Sequence, residues 1–132
     1  MKNRGKVFLY NISKERQRQI LPLCVKAGAS VRTVAPSEYG QKLGALAGHA
    51  GYSMDKAIYD GSSFTDEMLV LDGFTGRDLD AFLNSFRQAK VRPVALKAVI
   101  TDHNQEWDSV TLHEEISKEH EYMWSQKKEG DS

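Results

Sequence analysis

A chain of 132 residues, 40% hydrophobic and 27% charged, has the length and composition of one soluble globular domain with a real core. Its zero formal net charge excludes bulk attraction to nucleic acid or to an anionic membrane as a driving force. One cysteine, Cys24, excludes an internal disulfide and fits a reducing compartment.

The charges are unevenly placed. Residues 1–20 carry six Lys/Arg against one Glu, while residues 101–132 carry nine Asp/Glu against three Lys. This predicts a basic first helix near an acidic last helix, within one molecule or across a dimer. A nucleic-acid arm at Lys2, Arg4, Lys6, Lys14, Arg16 and Arg18 is the weaker reading, because the acidic end opposes it and no aromatic platform is interleaved. The apolar run after Lys6 is too short for a signal peptide, and no segment approaches the ~20 apolar residues of a membrane span. A cytoplasmic protein is expected.

In chain order, Val7 to Ile12 is apolar on both alternating faces, as in a strand covered on both sides. Ser13 is placed to cap the next helix, with Ile20, Leu21, Cys24 and Val25 as its inner stripe and Gly28 as its stop. Pro22 is expected to kink or divide that helix. Ala29 to Ala35 reads as an edge strand, since Arg32 and Thr33 break its apolar run. Cys24 lies among Leu21, Leu23 and Val25, which suits a buried structural thiol better than a nucleophile.

Residues 38–66 are the least periodic stretch. Gly40, Gly44 and Gly48 fall four apart and on a helix would form a smooth ridge for close packing, a reading preferred to a phosphate loop. The phosphate patterns fail: there is no GxGxxG, and GHAGYSMDK lacks a Gly-Lys-Ser/Thr core. A short helix is expected over Tyr52 to Tyr59, and His49 has no identifiable partner.

Met68 to Leu71 is a second doubly apolar strand, and Asp72-Gly73 turns the chain. Phe74 and Leu79 are spaced as a staple around a Thr75 cap, and Leu79, Phe82, Leu83 and Phe86 make a helical stripe. Val94 to Ile100 follows as an edge strand, with Val94, Leu96, Ala98 and Ile100 on one face. After the polar cluster Thr101-Asp102-His103-Asn104, Asp108 or Ser109 caps a last helix with Leu112, Ile116 and Met123 inward and Trp124 beside them. His120 is expected at a core or interface position. Residues 1–126 form a single α/β domain on this reading, and 127–132 a flexible tail.

Four strands alternating with helices predict a mostly parallel sheet in the order 2-1-3-4 with helices on both faces. The alternative is an α+β ferredoxin-like sheet with an inserted helical excursion and a C-terminal helix; residues 38–66 decide between them. In an open parallel sheet, ligands sit outside the carboxyl ends of the strands. The residues delivered there are Asn11, Ser13, Asp72, Thr101, Asp102, His103 and Asn104, with Ser37 and Glu38 nearby.

None of these is assigned a catalytic role. An Asp after one central strand resembles phosphoacceptor receiver domains, yet Asn11-Ile12-Ser13 stands where they need an acidic pair, and no fifth strand supplies a Lys. HEEISKEH does not make HExxH, because position 117 is Ser117, and His113 and His120 lie two turns apart. No metal and no cofactor is expected.

The stretches YGQKLGALAG (39–48), DEMLVLDGF (66–74), VALKAVITDHNQEW (94–107) and LHEEISKEH (112–120), taken together, resemble an uncharacterised bacterial family of short α/β proteins, a domain of unknown function. The resemblance implies a small intracellular protein and carries no activity, cofactor or catalytic residue. A non-catalytic binding or regulatory protein that self-associates, or takes a protein partner, is the preferred expectation. A small-ligand sensor or enzyme using the carboxyl edge is the alternative, its ligand unspecified.

Overall fold

The computed structural model describes residues 5–130, with side-chain surroundings through His120. The elements are β1 (Lys6–Tyr10), α1 (Lys14–Lys26), β2 (Ser30–Thr33), a 3-10 turn at Pro36–Glu38, α2 (Leu43–Ala47), β3 (Met68–Asp72), α3 (Gly76–Gln88), β4 (Leu96–Val99) and α4 (Ser109–Gly130). The sheet order is β2-β1-β3-β4, as the apolar patterning of the two inner strands predicts. Two of its three pairings, β1 with β2 and β3 with β4, are parallel, and the middle pair, β1 with β3, is antiparallel. The sheet is therefore mostly parallel but mixed, and the ferredoxin-like alternative, with antiparallel neighbours throughout, is not what forms.

The antiparallel centre follows from residues 38–66. They contain no long crossover helix, only the 3-10 turn, the five-residue α2 and irregular chain, so β3 enters from the opposite end. The expected helix over Tyr52 to Tyr59 is absent. Gly40, Gly44 and Gly48 do not share a helical ridge either: Gly40 precedes α2, and Gly48 caps it in the left-handed conformation, φ 77°. Close packing does operate at Gly44, where a Cβ would stand 2.9 Å from the Tyr52 ring and 3.3 Å from the Gln105 carbonyl oxygen.

The two halves of the sheet repeat one another. Ser13 and Thr75 both cap 13-residue helices, their hydroxyls accepting from the Arg16 and Asp78 amides. At the same spacing, Asn11 and Gly73 both take positive φ, as do Gly28 and Lys90. Phe8 lies opposite Val70 in the antiparallel pair, and these too are equivalents at that spacing. A local two-fold axis therefore runs between them, relating β1-α1-β2 to β3-α3-β4.

Alternation along β1 and β3 sorts the core into two clusters on opposite faces. Val7, Leu9, Leu69 and Leu71 meet Ile20, Leu23 and Cys24 of α1 and Phe82 and Phe86 of α3. Phe8, Tyr10, Met68 and Val70 meet Tyr39, Leu43, Leu46, Phe64 and Leu112 on the other face, with Trp107 and Ile116 packed against them. Basic α1 and acidic α4 thus lie on opposite sides of one sheet. The expected proximity of first and last helix within one molecule does not occur.

Local details amend the sequence-based expectations. The helix α1 runs through Pro22 without dividing, because Pro22 sits on its exposed side. Its buried stripe is Ile20, Leu23 and Cys24, and Val25 is 73% exposed. Val94 packs with the α1–α3 cluster, away from Leu96 and Ile100, because it lies before β4 begins. His120 is exposed. The expected placements of Met123 and Trp124 and of the tail 127–132 fall outside the described side chains. Asp108 caps α4, its Oδ1 accepting from Thr111 N at 2.8 Å.

Candidate functional site

The antiparallel centre divides the candidate residues between two ends of the sheet. Asn11 and Ser13 follow β1 at one end; Asp72 and Thr101 to Asn104 follow β3 and β4 at the other. They do not converge on one edge.

At the β3–β4 end, the left-handed cap at Gly48 directs His49 back over the sheet, with His49 N donating to Gly44 O at 2.8 Å. Nε2 of His49 lies 2.9 Å from each Asp72 carboxylate oxygen, and Nδ1 lies 2.8 Å from Gln105 Oε1. Two oxygen acceptors on two ring nitrogens suit the imidazolium form. The pKa is accordingly raised by the hydrogen bonds to Gln105 and Asp72, against opposing desolvation and the Lys6 charge. A neutral imidazole would keep this geometry only if Gln105 turned its amide to donate.

Next to that junction, the Thr101 cluster is a self-satisfied loop. Thr101 N donates to Asn104 Oδ1, His103 N and Asn104 N donate to Thr101 Oγ1, and Asn104 Nδ2 donates to Val99 O. His103 rests edge-on against Trp107, centroids 5.4 Å apart. Asp102 is exposed and contributes, behind partial desolvation and Glu106, to raising the Tyr52 hydroxyl pKa. The loop serves as an entry into α4, the structural reading of these residues.

At the β1–β2 end, Asn11 takes φ 57° and its amide donates to Phe64 O and Asp66 O at 2.9 and 3.0 Å. Asn11 Oδ1 accepts from Tyr39 OH at 3.4 Å, and Ser13 is occupied as the α1 cap. Phe64 stacks on Tyr39 and His113, with centroids 4.8 and 3.9 Å apart. His113 Nε2 lies 3.0 Å from Asp66 Oδ1 and 3.4 Å from Ser117 Oγ. A Ser-His-Asp relay needs the acid and the hydroxyl on different ring nitrogens, and here both meet Nε2. The group therefore ties α4 to the 64–66 segment and does not activate a serine.

Two of the basic N-terminal residues, Lys6 and Arg16, are engaged, while Lys14 and Arg18 are exposed. Lys6 Nζ donates to Ala47 O. Arg16, 7% exposed, makes a two-pronged pair with Glu67 at 3.0 and 3.1 Å and donates to Arg92 O and Pro93 O. Lys2 and Arg4 lie outside the described residues. Cys24 is fully buried, which pushes its thiol pKa up to about 11. Among the described residues, no group of three or more His, Cys, Asp or Glu converges as a metal site, and no helix is long and apolar enough to cross a membrane.

Sequence reasoning missed His49–Asp72–Gln105 and Asp66–His113. Each pair joins the irregular 38–66 segment to a distant element, and periodicity carries no information across such a gap. Gly48, as a left-handed cap immediately before a histidine, was the available signal for the first.

Two βαβ units joined edge to edge about a local two-fold axis, with a histidine–carboxylate junction at each end, define an internally repeated α/β module. Within it, residues 67–123 match a family model described as a domain of unknown function (DUF3783). The resemblance to an uncharacterised domain family thus holds over β3, α3, β4 and the first part of α4, one βαβ unit of the two. No curated protein and no solved structure matches the chain.

Proposed function

We propose that the protein is a non-catalytic binding or regulatory module that works by self-association. One observation carries the reading: the sheet separates a basic layer from an acidic one. Residues 14–26 and 76–93, on the α1–α3 side, hold eight Lys/Arg against three Asp/Glu. Residues 39–66 and 101–120, on the α2–α4 side, hold nine Asp/Glu against three Lys. Layers on either side of a sheet lie about 20 Å apart, beyond the Debye length of ~8 Å at physiological salt. Screened from one another, the layers can each meet a second chain, the basic one with seven Lys/Arg once Arg16, buried against Glu67, is set aside.

The polar groups at the strand ends support a non-catalytic reading, since Ser13, Thr101 and Asn104 spend hydrogen bonds on local backbone and Asn11 spends its amide on the carbonyls of Phe64 and Asp66. A reducing bacterial cytoplasm belongs to the same reading, supported by the single buried thiol. Light scattering over a concentration series at low salt tests self-association. Mass rising above 14.9 kDa with concentration is expected, and a concentration-independent monomer removes the proposal.

A ligand sensor at the β3–β4 end is the second reading, favoured by His49 and Asp72 lying partly exposed and by Tyr52, whose amide donates to His49 O and whose hydroxyl feels the Asp102 charge. A thermal-shift screen of nucleotides, metals and metabolites probes it. A hit lost in Asp102→Ala and His103→Ala supports the site, and unchanged binding in both rejects those two residues.

A further inference from the structure

We propose that the cavity between α3 and β4 binds a small carboxylic acid, its apolar body beside Leu69, Leu83 and Phe86 and its carboxylate on the Lys97 amine. The site is separate from the His49 junction, and it does not depend on self-association.

The internal repeat singles out Lys97. Val31 lies opposite Val7 in the β1–β2 pair, and Lys97 lies opposite Leu69 in the β3–β4 pair. Val7 and Leu69 are equivalents at the repeat spacing, so Lys97 occupies the place that Val31 fills in the first unit. Val31 packs, partly buried, against the α1–α3 cluster. The same position in the second unit opens on a cavity of about 170 Å³ walled by Leu69, Leu83, Phe86, Pro93 and Val94. Among the described residues on that wall, Lys97 alone has a polar side chain.

The amine lacks the carboxylate that usually balances a lysine. It donates to Val94 O at 2.9 Å, and among the described residues no Asp or Glu pairs with it. Residues 86–97 hold four Lys/Arg and no Asp/Glu. Glu67, just before β3, is already taken up by Arg16. Partial burial lowers the Lys97 pKa, and an anion on the amine would offset that cost.

Volume and charge together set the ligand class. An apolar cavity of about 150 Å³ is enough to hold benzene, so the body is a ring or a short branched chain of about six carbons. One ammonium group matches one negative charge, and a carboxylate supplies that charge with two acceptor oxygens.

Titration of the full chain with sodium benzoate at about pH 7.5, followed by methyl NMR, tests the site. Benzyl alcohol supplies the ring without the charge, and acetate the charge without the ring. Saturable shifts of the Leu69, Leu83 and Val94 methyls are expected with benzoate, and binding about tenfold weaker with either of the other two. Lys97→Met keeps an apolar stem and should weaken benzoate about tenfold, to the level of benzyl alcohol. Leu83→Phe fills the cavity with Lys97 intact and should abolish the shifts, which keeps the test decisive if Lys97→Met does not fold.

Benzoate that leaves those methyls unmoved overturns the proposal. So does benzyl alcohol or acetate binding as tightly as benzoate, or undiminished benzoate binding in a folded Lys97→Met or Leu83→Phe protein.

Discussion

Replacing Arg16 by Met should be among the most destabilising single changes on α1, although Arg16 reads in the sequence as one more N-terminal cation. Its side chain is 9% exposed and faces Glu67, which is 27% exposed. Removing one partner of a fully buried ion pair costs about 3–5 kcal/mol, and the exposure of Glu67 lowers this to about 2–4. The carbonyls of Arg92 and Pro93 also lose a donor, which argues for the upper half of that range.

With a urea m-value of about 2 kcal/mol/M for a domain of this size, a loss of about 3 kcal/mol lowers the unfolding midpoint by roughly 1.5 M. Lys14→Met, two residues earlier on α1 and exposed, should stay within about 0.5 kcal/mol of the unchanged protein. The double variant Arg16→Met with Glu67→Met should recover most of the loss, because an apolar pair leaves no buried charge unmatched. Urea melts of the four proteins decide the matter. An Arg16→Met midpoint indistinguishable from that of Lys14→Met would refute the clamp and return Arg16 to the pool of free surface cations.

Gly44→Val should destabilise by about 1–3 kcal/mol by overpacking, since even a Cβ meets the Tyr52 ring at 2.9 Å and the Gln105 carbonyl at 3.3 Å; a thermal melt at or above the unchanged Tm would contradict this. The raised pKa of His49 makes a signed pH prediction. Its contribution is fully present below the unfolded histidine value near 6.5 and is lost as pH rises through the higher folded value. Urea stability measured from pH 5.5 to 8.5 should show this fall, and His49→Gln should flatten it; an identical slope in the variant would exclude His49 as the source. Cys24, fully buried with its thiol pKa pushed up to about 11, should react with a thiol reagent at pH 8 only as fast as the protein opens. Stoichiometric labelling within the mixing time under native conditions would count against that burial.

Strand order was legible because β1 and β3 are apolar on both faces while Arg32 and Lys97 mark the edges, a pattern that burial on a twice-covered sheet imposes. Caps were legible for the same local reason: Ser13, Thr75 and Asp108 each accept from an amide three residues on. Strand direction was not. The antiparallel meeting of Phe8 and Val70 depends on how 38–66 returns the chain, and that stretch has no period to read. The repeat of β1-α1-β2 in β3-α3-β4 was hidden because it lives in backbone geometry, with Asn11 matched to Gly73 and Gly28 to Lys90, and scarcely in side-chain identity. The division of the candidate residues between two ends followed from strand direction alone. His49 and His113 gained partners only once 38–66 was folded over the sheet.

Sedimentation of the unchanged protein across ionic strength tests the central claim most directly, since opposite charged layers must release one another when screened. The account predicts assembly in ~20 mM salt, where the Debye length is roughly 20 Å, and a 14.9 kDa monomer in ~0.5 M salt, where it is about 4 Å. Monomers at both salt concentrations, or association that strengthens with salt, would contradict it.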